Sequence, residues 1–178
     1  RRGSAGEYGG DKGIFAFGYD GSSHVSMSNL VSNAGVIGTD VTGVGHARNT
    51  VAACEYGTET CIFAYGWDNA AVSISNLVSS SGVVATDTTG VGTARGYLGA
   101  CAYGEDKGIF GYGSTPTNVS MTNLVSNVGV IATDTTGVGT ARNAIAATQY
   151  GQDKGIFGYG YTDAYVSMSN LVSNSGVV

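Results

Sequence analysis

One phrase is written four times along this chain. GIFGYG stands at 108–113 and again at 155–160, with GIFAFG at 13–18 and CIFAYG at 61–66. From Gly13 to Cys61 is 48 residues, from Cys61 to Gly108 is 47, and from Gly108 to Gly155 is 47. A fixed period of this size marks solenoids, propellers or arrays, whose units bury an apolar face only by stacking on neighbours. A catalytic motif is needed once per active site, so fourfold repetition speaks first of architecture. The chain divides into four repeats at about 1–48, 49–95, 96–142 and 143–178, the last lacking most of its final strand.

Composition narrows the class of unit. The chain is 42% hydrophobic with 30 glycines and one proline, Pro116. Val, Thr, Tyr, Ser and Gly abound while Leu and Glu are scarce, which favours strands and turns over helices. Only 12% of residues are charged and the net charge is −5, so there is no basic footprint for nucleic acid and no polybasic membrane patch. No apolar run approaches the roughly 18 residues of a membrane span. The opening RRGSAGEYGG has no apolar segment of signal-peptide type, and neither nucleic acid nor membrane insertion is expected.

Each repeat can be cut at its glycine and polar punctuation into four short strands. In the third repeat these are YLGACAYG (A), KGIFGYG (B), NVSMTNLVS (C) and GVIATDT (D). In C, Val119, Met121, Asn123 and Val125 share one face and Ser120, Thr122, Leu124 and Ser126 the other, a period of two. The glycines of B weaken a strand and mark a close backbone approach or a tight exit. The expectation is an all-β protein, a β-propeller of four-stranded antiparallel blades.

The arginines Arg48, Arg95 and Arg142 before strand A, together with IFAFG, IFAYG, IFGYG and IFGYG in strand B, resemble the kelch-type β-propeller blade. The family's Gly-Gly pair is here Phe-Gly or Tyr-Gly, and the Trp usual in its last strands is absent. The phrases DKGIFGYG, SMTNLVSN and TDTTGVGTAR are also similar to tandem repeats of phage tail-fibre and virion-surface proteins. That resemblance implies a structural or adhesive protein on a virion or extracellular surface.

SNSGVV at 173–178 matches SNVGVI at 126–131, after which the third repeat continues for eleven residues to Arg142. RRGSAGEYGG aligns with NAIAATQYGQ at 143–152. Three closures fit this pattern: a four-bladed monomer, two chains of this kind completing one ring, or further repeats of a longer chain.

In such a blade the B-to-C and D-to-A connections emerge at one end, where a near-constant loop (TGVGHAR or TGVGTAR) meets a variable one. Recognition normally sits on loops held by a rigid scaffold. The variable loops carry Tyr19, Asp20 and His24 in the first repeat, Trp67, Asp68 and Asn69 in the second, and Tyr161, Asp163 and Tyr165 in the fourth. An aromatic face beside carboxylates and amides suits a sugar ring, making a glycan or a surface receptor the candidate ligand. The plainer reading makes these Asx-rich turns with aromatics covering a blade edge. A lectin-type propeller and an intracellular kelch-type protein-interaction scaffold are the alternative functions.

Other chemistry is sparse. Asp11-Lys12, Asp106-Lys107 and Asp153-Lys154 fall in the A-to-B turn, where Asp favours the turn and Lys solvates its end. Asp40, Asp87 and Asp134 are too sparse for a calcium loop and read as structural. Arg48, Arg95 and Arg142 are expected to bridge neighbouring blades by bonding carbonyls or an Asp such as Asp87. His24 and His46 do not form a repeated pair or metal-ligand spacing, and no catalytic motif is present. Neither an enzyme, a metal nor a cofactor is expected. A turn centred between Gly57 and Thr58 would place Cys54 opposite Cys61 and allow a disulfide there.

Overall fold

Strands of two to eight residues, set off by glycine-rich and polar turns, recur along the chain. A computed structural model describes residues 3–178, which contain no helix. The first sheet joins β1 (Ser4–Tyr8), β2 (Lys12–Tyr19) and β3 (His24–Val31) in that order. The second joins β4 (Ala52–Tyr56), β5 (Thr60–Ala64) and β8 (Ser75–Val78), with the two-residue strands β6 (Trp67–Asp68) and β7 (Ala70–Ala71) paired beside it. The third holds β9 (Gly99–Tyr103), β10 (Lys107–Gly111) and β11 (Thr122–Val125); the fourth holds β12 (Ala146–Tyr150), β13 (Lys154–Gly158) and β14 (Ser169–Val172). All pairings are antiparallel, and the sheets do not close into a barrel.

Each of the four main sheets thus has three strands, one fewer than expected. The D segments touch strand C only at isolated bridges, Ser75 with Thr88 and Val78 with Val84 in the second repeat. Between those bridges a side chain enters the ladder: Asn76 Nδ2 donates to Ala85 O at 3.0 Å and to Asp87 Oδ1 at 2.9 Å. Asn123 repeats the arrangement with Ala132 and Asp134. These side-chain amides join scattered backbone bonds, such as Ala85 N to Leu77 O at 2.8 Å, in holding the outer edge where a regular fourth strand was expected.

The apolar cores lie between sheets. Tyr8, Ile14 and Phe17 of the first repeat cluster with Cys61, Phe63 and Val78 of the second. Corresponding clusters join the second repeat to the third and the third to the fourth. Among the described residues no repeat has a core of its own, as stacked-repeat proteins require. One groove is bordered by all four first strands, β1, β4, β9 and β12.

The recurring Tyr-Gly of strand B has a specific backbone role. Phe17, Tyr65, Tyr112 and Tyr159 have φ of 59°, 63°, 61° and 62°, and each is followed by a glycine at φ between 106° and 127°. Left-handed geometry at a bulky residue costs about 1–3 kcal/mol. It turns the ring onto the next sheet: Phe17 meets Phe63 at 5.5 Å between centroids, Tyr65 meets Phe110 at 5.4 Å, and Tyr112 meets Phe157 at 5.3 Å. Burial of these large rings offsets the strain.

The arginines before strand A lock the same junctions. Arg48 donates from Nε to Tyr65 O at 2.7 Å, from Nη1 to His46 O at 2.9 Å and from Nη2 to Asn76 Oδ1 at 2.8 Å, while its guanidinium lies 4.2 Å above the Phe17 ring. Arg95 and Arg142 repeat this with Tyr112, Asn123 and Tyr159, Asn170. All three side chains are buried, and each is satisfied by acceptors on the sheet that follows it, a loop carbonyl two residues before it and a ring on the preceding sheet. Asp87 and Asp134 accept the backbone N–H of His46 and Thr93 in the loops of the preceding repeats; Asp40 accepts from Asn29 Nδ2 at 2.8 Å.

The expected Cys54–Cys61 disulfide is not formed. The turn spans three residues, so Tyr56 pairs with Thr60, Glu55 with Cys61 and Cys54 with Ile62. This one-residue difference from the expected register places the two thiols on opposite faces of the sheet. Cys61 packs at Gly6 of the first repeat and Cys54 at Gly108 of the third; both are free and buried, as is Cys101.

Candidate functional site

The B-to-C and D-to-A connections of the first repeat meet the β6–β7 hairpin of the second at one end of the molecule. Three local devices set their shape. Asp20 Oδ1 accepts from Ser22 N, Ser22 Oγ and Ser23 N at 2.8, 2.9 and 2.8 Å, closing the β2–β3 turn. Asn69, at φ 57°, closes the β6–β7 hairpin. Gly45, at φ 78°, lets the D-to-A loop pass so close to Asp87 and Asn76 that a Cβ would overlap both.

These loops bring the chain's two histidines onto one carboxylate. His24 Nδ1 lies 3.0 Å from Asp68 Oδ1 and His46 Nε2 lies 2.7 Å from Asp68 Oδ2. Asn69 Nδ2 donates to Asp68 Oδ1 at 3.1 Å. Tyr19 meets His24 edge-on, with centroids 5.4 Å apart. An open cleft follows, bordered by Tyr19, Ser22, Ser23, His24, His46 and Asp68. Both carboxylate oxygens of Asp68 are engaged, which fixes the two imidazoles and leaves a second nitrogen on each for a ligand. Hydroxyls of Tyr19 and the serines add donors and acceptors. Among the described residues no group of three or more His, Cys, Asp or Glu could hold a metal ion.

Of the expected ligand residues, the structure joins Tyr19, His24, Asp68 and Asn69. Asp20 serves the turn. Trp67 is half-buried and pairs through its backbone with Asn49, donating at 2.8 Å and accepting at 3.0 Å. Tyr161 and Tyr165 form a separate edge-on pair in the fourth repeat, with Tyr165 90% exposed and Asp163 exposed beside it. His46 is the residue that sequence reasoning passed over. Its signal was its position: it replaces the Thr of TGVGTAR in a loop sharing an end with His24.

The described residues contain no helix long and apolar enough to cross a membrane. No family model matches the chain, and no curated protein matches it.

Proposed function

We propose that the chain is a non-enzymatic structural and adhesive module, a β-propeller or part of one in a virion or cell-surface assembly, whose loop end binds glycan. Three near-identical junctions, each with a buried arginine, support a rigid scaffold. The common groove of the four first strands and the bridged D segments support a blade reading, with the D edge as an incomplete fourth strand. The surface location rests on the resemblance to tail-fibre repeats.

The observation that carries the binding reading is the convergence of Tyr19, His24 and His46 on Asp68 in an open cleft. A sugar offers a C–H face for Tyr19 and hydroxyls for the free imidazole nitrogens and serines. The test is a glycan array followed by titration of the best glycan, read through Trp67, which adjoins Asp68. Asp68→Ala should weaken binding at least tenfold while the melting temperature holds. A blank array with saturable peptide binding at the same loops would replace this reading with the protein-interaction scaffold.

A further inference from the structure

We infer that this chain associates head to tail with a second copy of itself, the fourth repeat of one copy docking on the first repeat of the other. The three internal junctions supply a template, and the two outermost faces carry its unmatched halves.

The aromatic part of the template pairs the left-handed residue of one repeat with the Phe of the next, as in Tyr65 with Phe110 and Tyr112 with Phe157. Phe63, Phe110 and Phe157 are fully buried in this way. Tyr159 remains 66% exposed on the fourth repeat and Phe15 remains 48% exposed on the first. Gly111 packs on the ring of Phe157, whereas its counterpart Gly158, beside Tyr159, faces open space of the kind that ring fills.

A second, independent rule concerns size. Where first strands meet the next sheet, one partner is large and the other is glycine: Gly6 with Cys61, Cys54 with Gly108, Cys101 with Gly155. The unused positions are Thr148 on the fourth repeat and Gly13 on the first, again one large and one small. A third contact seats the C-to-D glycine on a Leu and a Tyr of the preceding repeat: Gly82 on Leu30 and Tyr8, Gly129 on Leu77 and Tyr56, Gly176 on Leu124 and Tyr103. Gly35 of the first repeat faces open space, while Leu171 and Tyr150 of the fourth are 59% and 39% exposed.

All three rules match the fourth repeat to the first. A symmetric contact would set Tyr159 against Tyr159 and Leu171 against Leu171, for which the molecule has no template. The association is therefore heterologous, and it closes into a ring or extends according to the rotation between copies. It is independent of the glycan reading and would stand if that failed.

The test is the mass of the intact chain by light scattering and sedimentation across a concentration series. Two chains or more per particle are expected, increasing with concentration. Phe15→Asp and Tyr159→Asp should each give single chains, since every junction needs both faces. Mixing the two variants restores one intact junction and should give a particle of two chains and no larger. Leu171→Asp repeats the test on the fourth-repeat face should Tyr159→Asp fail to fold by circular dichroism. A single-chain mass at the highest concentration, association that survives the substitutions, or a mixture that stays monomeric would overturn the inference. Tyr159→Asp should leave glycan titration at the Asp68 cleft unchanged.

Discussion

Glu55 of β4 shares the groove of first strands with Glu7 of β1, and its carboxyl is pushed up to about 7 by burial, then by hydrogen bonding to and repulsion from Glu7. Because the folded value lies above the unfolded value of 4.5, the protonated group's contribution is full below about pH 4.5. It is lost as pH rises through 7. Half-exposure screens the effect, so a loss of about 1 kcal/mol between pH 4.5 and 8 is expected. Urea melts at the two pH values should show it, and Glu55→Gln should flatten the difference. Neither the pairing nor its sign was legible in the sequence, where Glu7 and Glu55 stand a full repeat apart. They meet because β1 and β4 border the same groove.

Strand pairing across repeats follows a packing rule seen at the level of single elements. Cys101 of β9 fits over Gly155 of β13, and the reverse order, Gly6 of β1 with Cys61 of β5, fits equally at the first junction. Gly155→Cys alone therefore overfills the third junction, at about 2 kcal/mol. Cys101→Gly combined with Gly155→Cys copies the first junction and should return stability to within about 1 kcal/mol of the parent. Denaturant midpoints of the parent, both single variants and the double variant test this coupling; additive effects would refute it. The strands were legible from the repeat, although β11 keeps only Thr122–Val125 of the expected strand C. The three-residue turn after Tyr56 was not, since one residue of turn length flips every side chain to the opposite face. The expected fourth strand is reduced to isolated bridges, between which Asn76 and Asn123 bond the D segment with side chains that periodicity does not reveal.

At the scale of the molecule, stability resides in junctions between repeats, so one motif position should have very different weights along the chain. Phe110 is fully buried between the second and third repeats, whereas Phe15 is half exposed on the outer face of the first. Phe110→Ala should cost about 4 kcal/mol. Phe15→Ala should cost less than about 1 kcal/mol, measured where the chain is monomeric. Equal losses would show that the first repeat's outer face is already covered within a single chain. The candidate cleft is also a product of two repeats: the first supplies Tyr19, His24 and His46, and the second supplies Asp68.

The amino-acid sequence by itself determined the period, the strand-and-turn alphabet of each unit, the all-β class and the loop end where Tyr19, His24 and Asp68 gather. These are local properties, written in spacing and alternation within a few residues. Tertiary structure alone decided that His46 joins that group and that each arginine is clamped between repeats. Those outcomes depend on how one sheet stacks on the next, and residues 20 to 50 positions apart leave no local pattern of their contact. The physical reason is that a repeat without its own core has its partners chosen by its neighbours.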